Sequence, residues 1–347
     1  MRRSPVKVFI TGGAGFIGSN FIRYWMRAHP QCEIINFDKL TYAGNPANLA
    51  DVAERPNYRF VRGDISRPED VLSALDADVD LIINFAAESH VDRSIENPAA
   101  FIRTNITGVQ VLLDAARARG VHRFVQISTD EVMGSLGPEG YFTEESPLRP
   151  NSPYAASKAA AEMLVRATHH TFGLDTIIIR SGNCYGPYQF PEKLIPLMIT
   201  NAMDDQPLPV YGDGLNVRDW IYVEDYCRAV DAIVRRGRPG EVYCVGARSE
   251  KTNLEVVETL LRLLNKPRSL IQFVEDRPGH DRRYAIDPSK VEREFDWRPQ
   301  ETFESGIAKT VRWYQTHRPW VEAVRSGAYR EYYQRMYGHR KILKHSG

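Results

Sequence analysis

Five residues near the middle of the chain have types and a spacing that could do chemistry. Thr129, Asp130 and Glu131 close the stretch HRFVQISTDEV, whose apolar pattern points into the protein. Adjacent carboxylates repel, and desolvating either is costly, so two acids at the end of a buried run need a reason. Tyr154 and Lys158 follow in NSPYAASKAAAE, four residues apart in a helix-forming stretch and therefore on one face. A free tyrosine has a pKa of about 10 and is a poor base at neutral pH. A nearby lysine and a bound nicotinamide cation would stabilise the phenolate. With the Thr129 hydroxyl, these groups could take the proton of an alcohol while its carbinol hydride leaves for the nicotinamide.

That chemistry needs a dinucleotide, and the N-terminal stretch TGGAGFIGS offers a seat for one. Gly12, Gly15 and Gly18 follow a β-rich run and open a helical one, which suits a tight turn that brings backbone amides to a pyrophosphate. The next β-rich run ends at Asp38, about 20 residues beyond Gly18, where an acid binds a ribose 2′-hydroxyl and repels a 2′-phosphate. NAD is therefore expected over NADP, although Lys39 alongside weakens the discrimination. Asp64 in GDI is placed for the adenine, and Phe16, Ile17, Thr41, Ile65, Ala86 and Ala87 complete the expected cofactor contacts.

The elements that must position these residues alternate short β-rich runs with longer helical patterns, as a parallel α/β sheet requires. VKVFIT (6–11), EIINFD (33–38), YRFVRGD (58–64), VDLIINFAA (79–87), HRFVQIST (122–129) and DTIIIRS (175–181) read as strands. Several are apolar on both alternations, as in a sheet covered on both faces. Helices are predicted over 16–28, about 98–118 and 153–171, the second marked by Pro98 near its start and Gly120 past its end. Neighbours on an ideal strand point to opposite faces. Asp130 and Glu131 can share one site only if the chain leaves β geometry after Thr129, and Gly134 is consistent with such a turn.

After Tyr185, prolines at 187, 191, 196, 207 and 209 break the rhythm and mark a smaller lobe, while DWIYVEDYCRAVDAIVRRG and EVYCVG look like a return to the first. The expected fold is α/β, a Rossmann-type doubly wound parallel sheet with a smaller, interleaved C-terminal substrate-binding lobe. Residues 1–184 would bind NAD, with returns at about 219–247 and 305–320; residues 185–218, 248–304 and 321–347 would form the lobe.

Of 347 residues 43% are hydrophobic and 26% charged, as in an ordinary globular protein. With 45 basic against 44 acidic side chains, no bulk field selects nucleic acid or a membrane surface. No apolar run is long enough to span a bilayer. Cys32, Cys184, Cys227 and Cys244 are widely spaced with no CxxC pair, which suggests a disulfide-free chain in a reducing cytoplasm. MRRSPVKVFITGG starts basic but lacks a signal-peptide pattern. His169 and His170, adjacent on a helix, are read as a solvated face with no metal, and HRKILKHSG as a frayed terminus.

Gly12, Gly15, Gly18, Thr129, Tyr154 and Lys158 together resemble the extended short-chain dehydrogenase/reductases that act on nucleotide sugars. FDKLTYAGN (37–45), FAAESHVDRSI (85–95), STDEV (128–132), YGPYQFPEKLIP (185–196), VRDWIYVED (217–225) and RPGHDRRYAID (277–287) narrow the likeness to the branch that dehydrates dTDP-glucose. These blocks span nearly the whole chain. The resemblance implies that Tyr154 deprotonates the 4-hydroxyl, Glu131 removes the C5 proton and Asp130 protonates the departing 6-hydroxyl, with tightly bound NAD regenerated each turnover. Asp130 must then be neutral near pH 7, which burial and an ionised Glu131 would favour.

The same resemblance sets Asn183, Glu192 and Lys193 near the phosphoryl groups and Arg218 and Arg283 at the diphosphate or nucleoside. It places Tyr211, His280 and Tyr284 around the nucleoside, Asn253 in the second lobe, and Ser89 between cofactor and sugar, with Thr129 also touching substrate. It further implies a homodimer seamed by the helices at about 98–118 and 153–171. Two positions depart from the family's usual pattern: Met133 stands where tyrosine commonly follows DEV, and Cys184 where a second asparagine commonly precedes YGP. They bear on which nucleotide sugar is used. The rival readings are a dehydratase for a UDP- or GDP-sugar and a non-catalytic NAD-binding regulator.

Overall fold

The computed structural model describes residues 6–326, 328–338 and 340–343. The first half runs β1 (Lys7–Thr11), α1 (Phe16–Ala28), β2 (Glu33–Asp38), β3 (Tyr58–Arg62), α2 (Pro68–Ala74), β4 (Leu81–Asn84), α3 (Val91–Glu96) and α4 (Pro98–Phe101). A π-helical turn (Ile102–Thr107), α5 (Gly108–Arg119), β5 (Arg123–Thr129), a 3-10 turn (Asp130–Met133), α6 (Pro153–Phe172) and β6 (Asp175–Ser181) follow. The second half adds β7 (Asn183–Tyr185), α7 (Leu194–Met203), β8 (Leu208–Tyr211), β9 (Val217–Tyr222), α8 (Val223–Arg236), β10 (Val242–Val245) and β11 (Glu250–Thr252). It closes with α9 (Asn253–Leu264), β12 (Ile271–Val274), α10 (Ser289–Phe295), α11 (Phe303–Thr316), α12 (Arg318–Val324) and α13 (Ala328–Tyr337).

Seven parallel strands form the main sheet in the order β10-β6-β5-β4-β1-β2-β3. The order reverses between β1 and β4, and ligands of such sheets bind beyond the carboxyl ends of the strands at that reversal. Alternate residues feed two cores: Val8 and Ile10 pack with Phe21, Trp25, Tyr226 and Val230 of α1 and α8, while Phe9 packs with Ile82, Leu112, Leu113 and Val165 on the opposite face. Each such apolar side chain contributes roughly 1.5–3 kcal/mol on burial, which explains why the strands read as apolar on both alternations.

A third core, with Tyr185, Leu197, Trp220, Val257 and Leu260, belongs to the smaller lobe. Of the return expected over about 219–247, β10 joins the edge of the main sheet and α8 packs on its core, whereas β9 pairs with β7 and β11 in a separate three-stranded sheet. Two other expectations change places. Residues 303–316 do not return to the sheet: Phe303, Ile307, Val311 and Tyr314 join the lobe's core. Val291, Phe295 and Trp297, expected in the lobe, pack on the sheet's core instead. An apolar helix face shows in sequence that it is buried, not which core buries it.

The C-terminal stretch does not fray over residues 340–343. The Leu343 N–H donates to the Phe273 carbonyl and the Glu275 N–H to the Lys341 carbonyl, each at 2.9 Å. His339 and residues 344–347 of that stretch, like residues 1–5 at the other end, lie outside the described residues. His169 is half-buried rather than solvated, its Nδ1 2.8 Å from the Leu174 carbonyl oxygen, while His170 is exposed. Among the described residues no helix is long and apolar enough to cross a membrane.

Candidate active site

The glycine turn is built by close approach. Gly12 leaves β1 at φ +70°, and a Cβ there would lie 2.5 Å from the Ala86 amide nitrogen. Only glycine takes both the left-handed backbone and that contact. Gly15 caps α1 with no side-chain oxygen on the first-turn amides, which leaves them available to an anion. Asp38 ends β2 and is buried; its carboxylate accepts the Ala14 and Leu40 amides at 2.9 and 2.8 Å. Lys39 points its Nζ to Asp64 Oδ2, 2.7 Å away, so its charge is already paired and does not invite a 2′-phosphate.

The strand-to-turn switch after Thr129 is where the two acids come together. The 3-10 turn ends at Gly134, whose φ of +84° and whose would-be Cβ, 2.5 Å from the Arg149 carbonyl oxygen, exclude other residues. Asp130 and Glu131 both line the cavity that Tyr154 and Lys158 line. Thr129 Oγ1 donates to Asp130 Oδ1 and accepts the Glu131 N–H, each at 3.3 Å. Asp130 is 2% exposed, and its Oδ2 has no protein hydrogen-bond partner. Burial first, and then the Glu131 charge, push the Asp130 carboxyl well above the usual carboxylate range. Burial also raises Glu131, but Arg277, Lys193 and Arg218 oppose that rise. The pair is thus biased towards a neutral Asp130 and an ionised Glu131.

Burial, with Glu131 adding to it, raises the Tyr154 phenol, and the Thr129 hydroxyl works against the rise. Lys158 is lowered to about 8 by burial, and its Nζ donates to the Ile127 carbonyl at 2.6 Å. The lysine does not bring the phenol down unaided. Asn105, presented by the π-helical turn, donates to the Glu88 carbonyl and to Ser157 Oγ, both at 2.9 Å, and so braces α6 beside Lys158.

One cavity of about 430 Å³ runs from the glycine turn past these groups to the smaller lobe. Its walls include every residue expected on the cofactor side, from Gly12, Gly15, Phe16, Ile17 and Gly18 through Asp38, Lys39, Thr41, Asp64, Ile65, Ala86 and Ala87. At the other end stand Ser89, Asn183, Glu192, Lys193, Tyr211, Arg218, Asn253, His280 and Tyr284. Arg218 lies 4.3 Å over the Tyr284 ring, and Lys193 Nζ donates to the Ser89 carbonyl at 2.7 Å. His280 is pushed down to about 4 by burial and by Arg277 and Arg218.

A family model described as GDP-mannose 4,6 dehydratase matches residues 9–310. The dTDP-glucose 4,6-dehydratase of Xanthomonas campestris pv. campestris (strain B100) is 51% identical over 340 residues, covering 92% of this chain and 96% of its own. A dTDP-glucose 4,6-dehydratase from Streptomyces venezuelae, solved with NAD and TYD bound, superposes with a TM-score of 0.90 at 50% identity, covering 92% of this chain and 100% of its own. The Bacillus anthracis enzyme of that name, solved with NAD, gives 0.85 at 49% identity over 92% and 99%. The chain belongs to the dTDP-glucose 4,6-dehydratase family.

For a member of this family the cavity departs from the sequence reading at one predicted residue. Arg283 does not reach it: its guanidinium is held by Glu250 at 2.7 and 2.8 Å and by the Gly137 and Gly140 carbonyls, outside the cavity wall. Arg277, six residues earlier in the same block, lines the cavity instead, its Nη1 3.3 Å from Asp92 Oδ1 and its Nε without a partner. Its signal was present in RPGHDRR, but a loop with three arginines does not tell which turns inward. Of the two departures from the 4,6-dehydratase pattern, Cys184 lines the cavity, whereas Met133 is buried behind it with its sulfur 3.5 Å from Arg180 Nη1.

Proposed function

We propose that this protein converts dTDP-glucose to dTDP-4-keto-6-deoxyglucose and water, with NAD as a tightly held cofactor, in deoxysugar biosynthesis. The observation that carries the reading is the 3-10 turn that brings Asp130 and Glu131, of which Asp130 holds its proton the more strongly, into the cavity of Tyr154 and Lys158. An epimerase or simple dehydrogenase has no use for that second acid–base pair. The Gly12 contact, the open first turn of α1 and the Asp38 carboxylate fit NAD. When bound, NAD supplies a nicotinamide that accepts a hydride from C4 and returns one to C6.

The chain's own groups move the protons. Tyr154 withdraws the 4-hydroxyl proton, aided by the Thr129 hydroxyl and by the positive charge that an oxidised nicotinamide would bring beside it. A ketone at C4 acidifies C5, and the ionised Glu131 takes that proton. Neutral Asp130 delivers its proton to the 6-hydroxyl, which leaves as water. As the hydride reaches C6, Glu131 gives a proton back to C5, and the proton that Tyr154 took from the 4-hydroxyl restores Asp130, so all three groups end as they began. Sugar oxidation and reduction cancel, so no external oxidant is consumed. Lys193, Arg218 and Arg277 supply positive charge for the diphosphate, and Tyr211, His280 and Tyr284 surround the nucleoside. The seven-stranded sheet serves as the NAD-binding part and the smaller lobe as the sugar-nucleotide part. We also place the protein in the cytoplasm, in keeping with its four free cysteines, and as a homodimer.

The test is incubation of the purified protein with dTDP-glucose in heavy water, without added NAD, followed by mass analysis. Loss of one water with one solvent deuterium at C5 is expected. Reaction of UDP- or GDP-glucose alone would move the substrate to another nucleotide. No reaction of any of them, even with NAD added, would leave the regulator reading.

A further inference from the structure

Directly behind the reacting groups lies a buried polar cluster that the proposed reaction does not use. Glu162 on α6 is 0% exposed and Arg180 on β6 is 4% exposed. Arg180 grips the carboxylate with a fork: Nε lies 3.2 and 3.1 Å from the two oxygens and Nη2 2.8 Å from Oε2. Ser128 Oγ donates to Glu162 Oε1 at 2.5 Å, and Arg180 Nη1 reaches the Glu144 carbonyl and the Met133 sulfur at 3.3 and 3.5 Å. Replacing such a pair with well-packed apolar residues is often neutral or stabilising, so fold stability alone does not account for it.

Its location does. Glu162 stands one helical turn beyond Lys158 on the same face. Ser128 precedes Thr129, and Met133 ends the turn that carries Asp130 and Glu131. We propose that Glu162 is a positioning residue that keeps Lys158 cationic and, through Ser128 and Arg180, fixes the end of β5 from which Thr129 and the two acids are aimed.

Other groups around Lys158 do not do this. Its own helix offers Tyr154, which burial keeps protonated, and the turn after β5 offers neutral-biased Asp130 and Glu131, which faces Arg277 and Lys193. On α3, Asp92 is paired with Arg277 and Arg93 with Glu192, while Arg103, Asp114 and Arg117 of the π-helical turn and α5 are exposed. Arg180, the one cation close by on β6, is neutralised by Glu162 itself. Burial lowers Lys158, and the Glu162 charge is what opposes it.

The inference rests on the dehydratase reading, and its test separates the two. The pH dependence of kcat with dTDP-glucose is measured for wild type, E162Q and E162D, alongside thermal melting. With the carboxylate gone and Arg180 uncompensated, the alkaline limb of E162Q should move to lower pH by roughly one unit, which is about a tenfold extra loss on the high-pH side. E162D keeps the charge and should keep the wild-type limb at a lower plateau. A purely structural role would lower melting and plateau in both without moving either limb, and that result overturns the proposal. So does an equal shift in E162D. If E162Q does not fold, S128A decides: a severalfold lower kcat with an unmoved limb is expected, and an unchanged kcat overturns the fixing of β5. Failure of wild type to turn over dTDP-glucose would instead sink the dehydratase reading.

Discussion

At the scale of single residues, the proposed chemistry makes Asp130 an acid whose burial works for catalysis and against stability. D130N should lower kcat by about 10²–10⁴ with little change in KM, as expected for removal of a general acid. Its effect on stability has a defined sign. A carboxyl raised in the folded state binds more protons there than in the unfolded chain, so its contribution is fully present below the unfolded value of about 3.9 and is lost as pH rises through the folded one. Asparagine cannot ionise. The melting temperature of apo D130N should therefore gain on wild type between pH 4 and pH 8, by a few degrees; a gap that stays constant with pH would show that Asp130 is not held neutral by the fold. Y154F should likewise lose about 10²–10⁴ in kcat while still binding dTDP-glucose, measured by steady-state kinetics and titration calorimetry. That Tyr154, Lys158 and the two acids line one cavity could be expected from sequence because the proposed reaction restricts which residue types can stand there. Arg277 could not be placed there, because side-chain direction in an irregular loop depends on contacts such as Glu250 with Arg283. Asn105 was hidden for a similar reason, since only the π-helical turn presents it to Glu88 and Ser157.

At the scale of elements, periodicity was a good guide where one rule governs the chain. EIINFD and DTIIIRS are strands over the predicted ranges, and the first helix runs Phe16–Ala28 as its pattern indicates. The need for a departure from β geometry after Thr129 could be argued from two neighbouring acids alone, and the 3-10 turn meets it. The helix expected over about 98–118 is interrupted by six π-helical residues, which apolar spacing does not betray. The short α2 and α3 leave too few turns for a pattern to emerge. These elements yield a test of the turn itself. G134A would force a non-glycine residue to φ +84° and set a methyl 2.5 Å from the Arg149 carbonyl oxygen. The strain is on the order of 1–3 kcal/mol, relieved only by moving the turn. A lower melting temperature and a kcat reduced at least tenfold are expected, with NAD binding intact because the glycine turn lies on another strand. An unchanged kcat would mean that the turn does not aim the acids.

At the scale of the whole molecule, the sheet's order reversal and the smaller lobe form the two ends of one cavity, as the proposed binding of a dinucleotide and a sugar nucleotide end to end requires. The outer surface raises a separate question. Isolated exposed apolar side chains are ordinary, but Ile95, Ile102 and Met163, at 40, 53 and 47% exposure, stand on α3, the π-helical turn and α6, and α6 packs against the other two. Exposed apolar side chains on adjoining elements suit a surface that a partner would cover. Phe172, at the far end of α6, is 55% exposed even with the Arg117 guanidinium 3.4 Å over its ring. A second copy of the chain, meeting the same helices across a two-fold axis, would bury both sets at once. Sedimentation velocity at micromolar concentration should find wild type as a dimer and M163E as a monomer, because a carboxylate at the seam would be desolvated without a partner. The variant should keep kcat within a few-fold, since Met163 does not line the cavity. A monomeric wild type would remove the seam, whereas a monomeric M163E with no activity would mean that the cavity depends on the partner across that face.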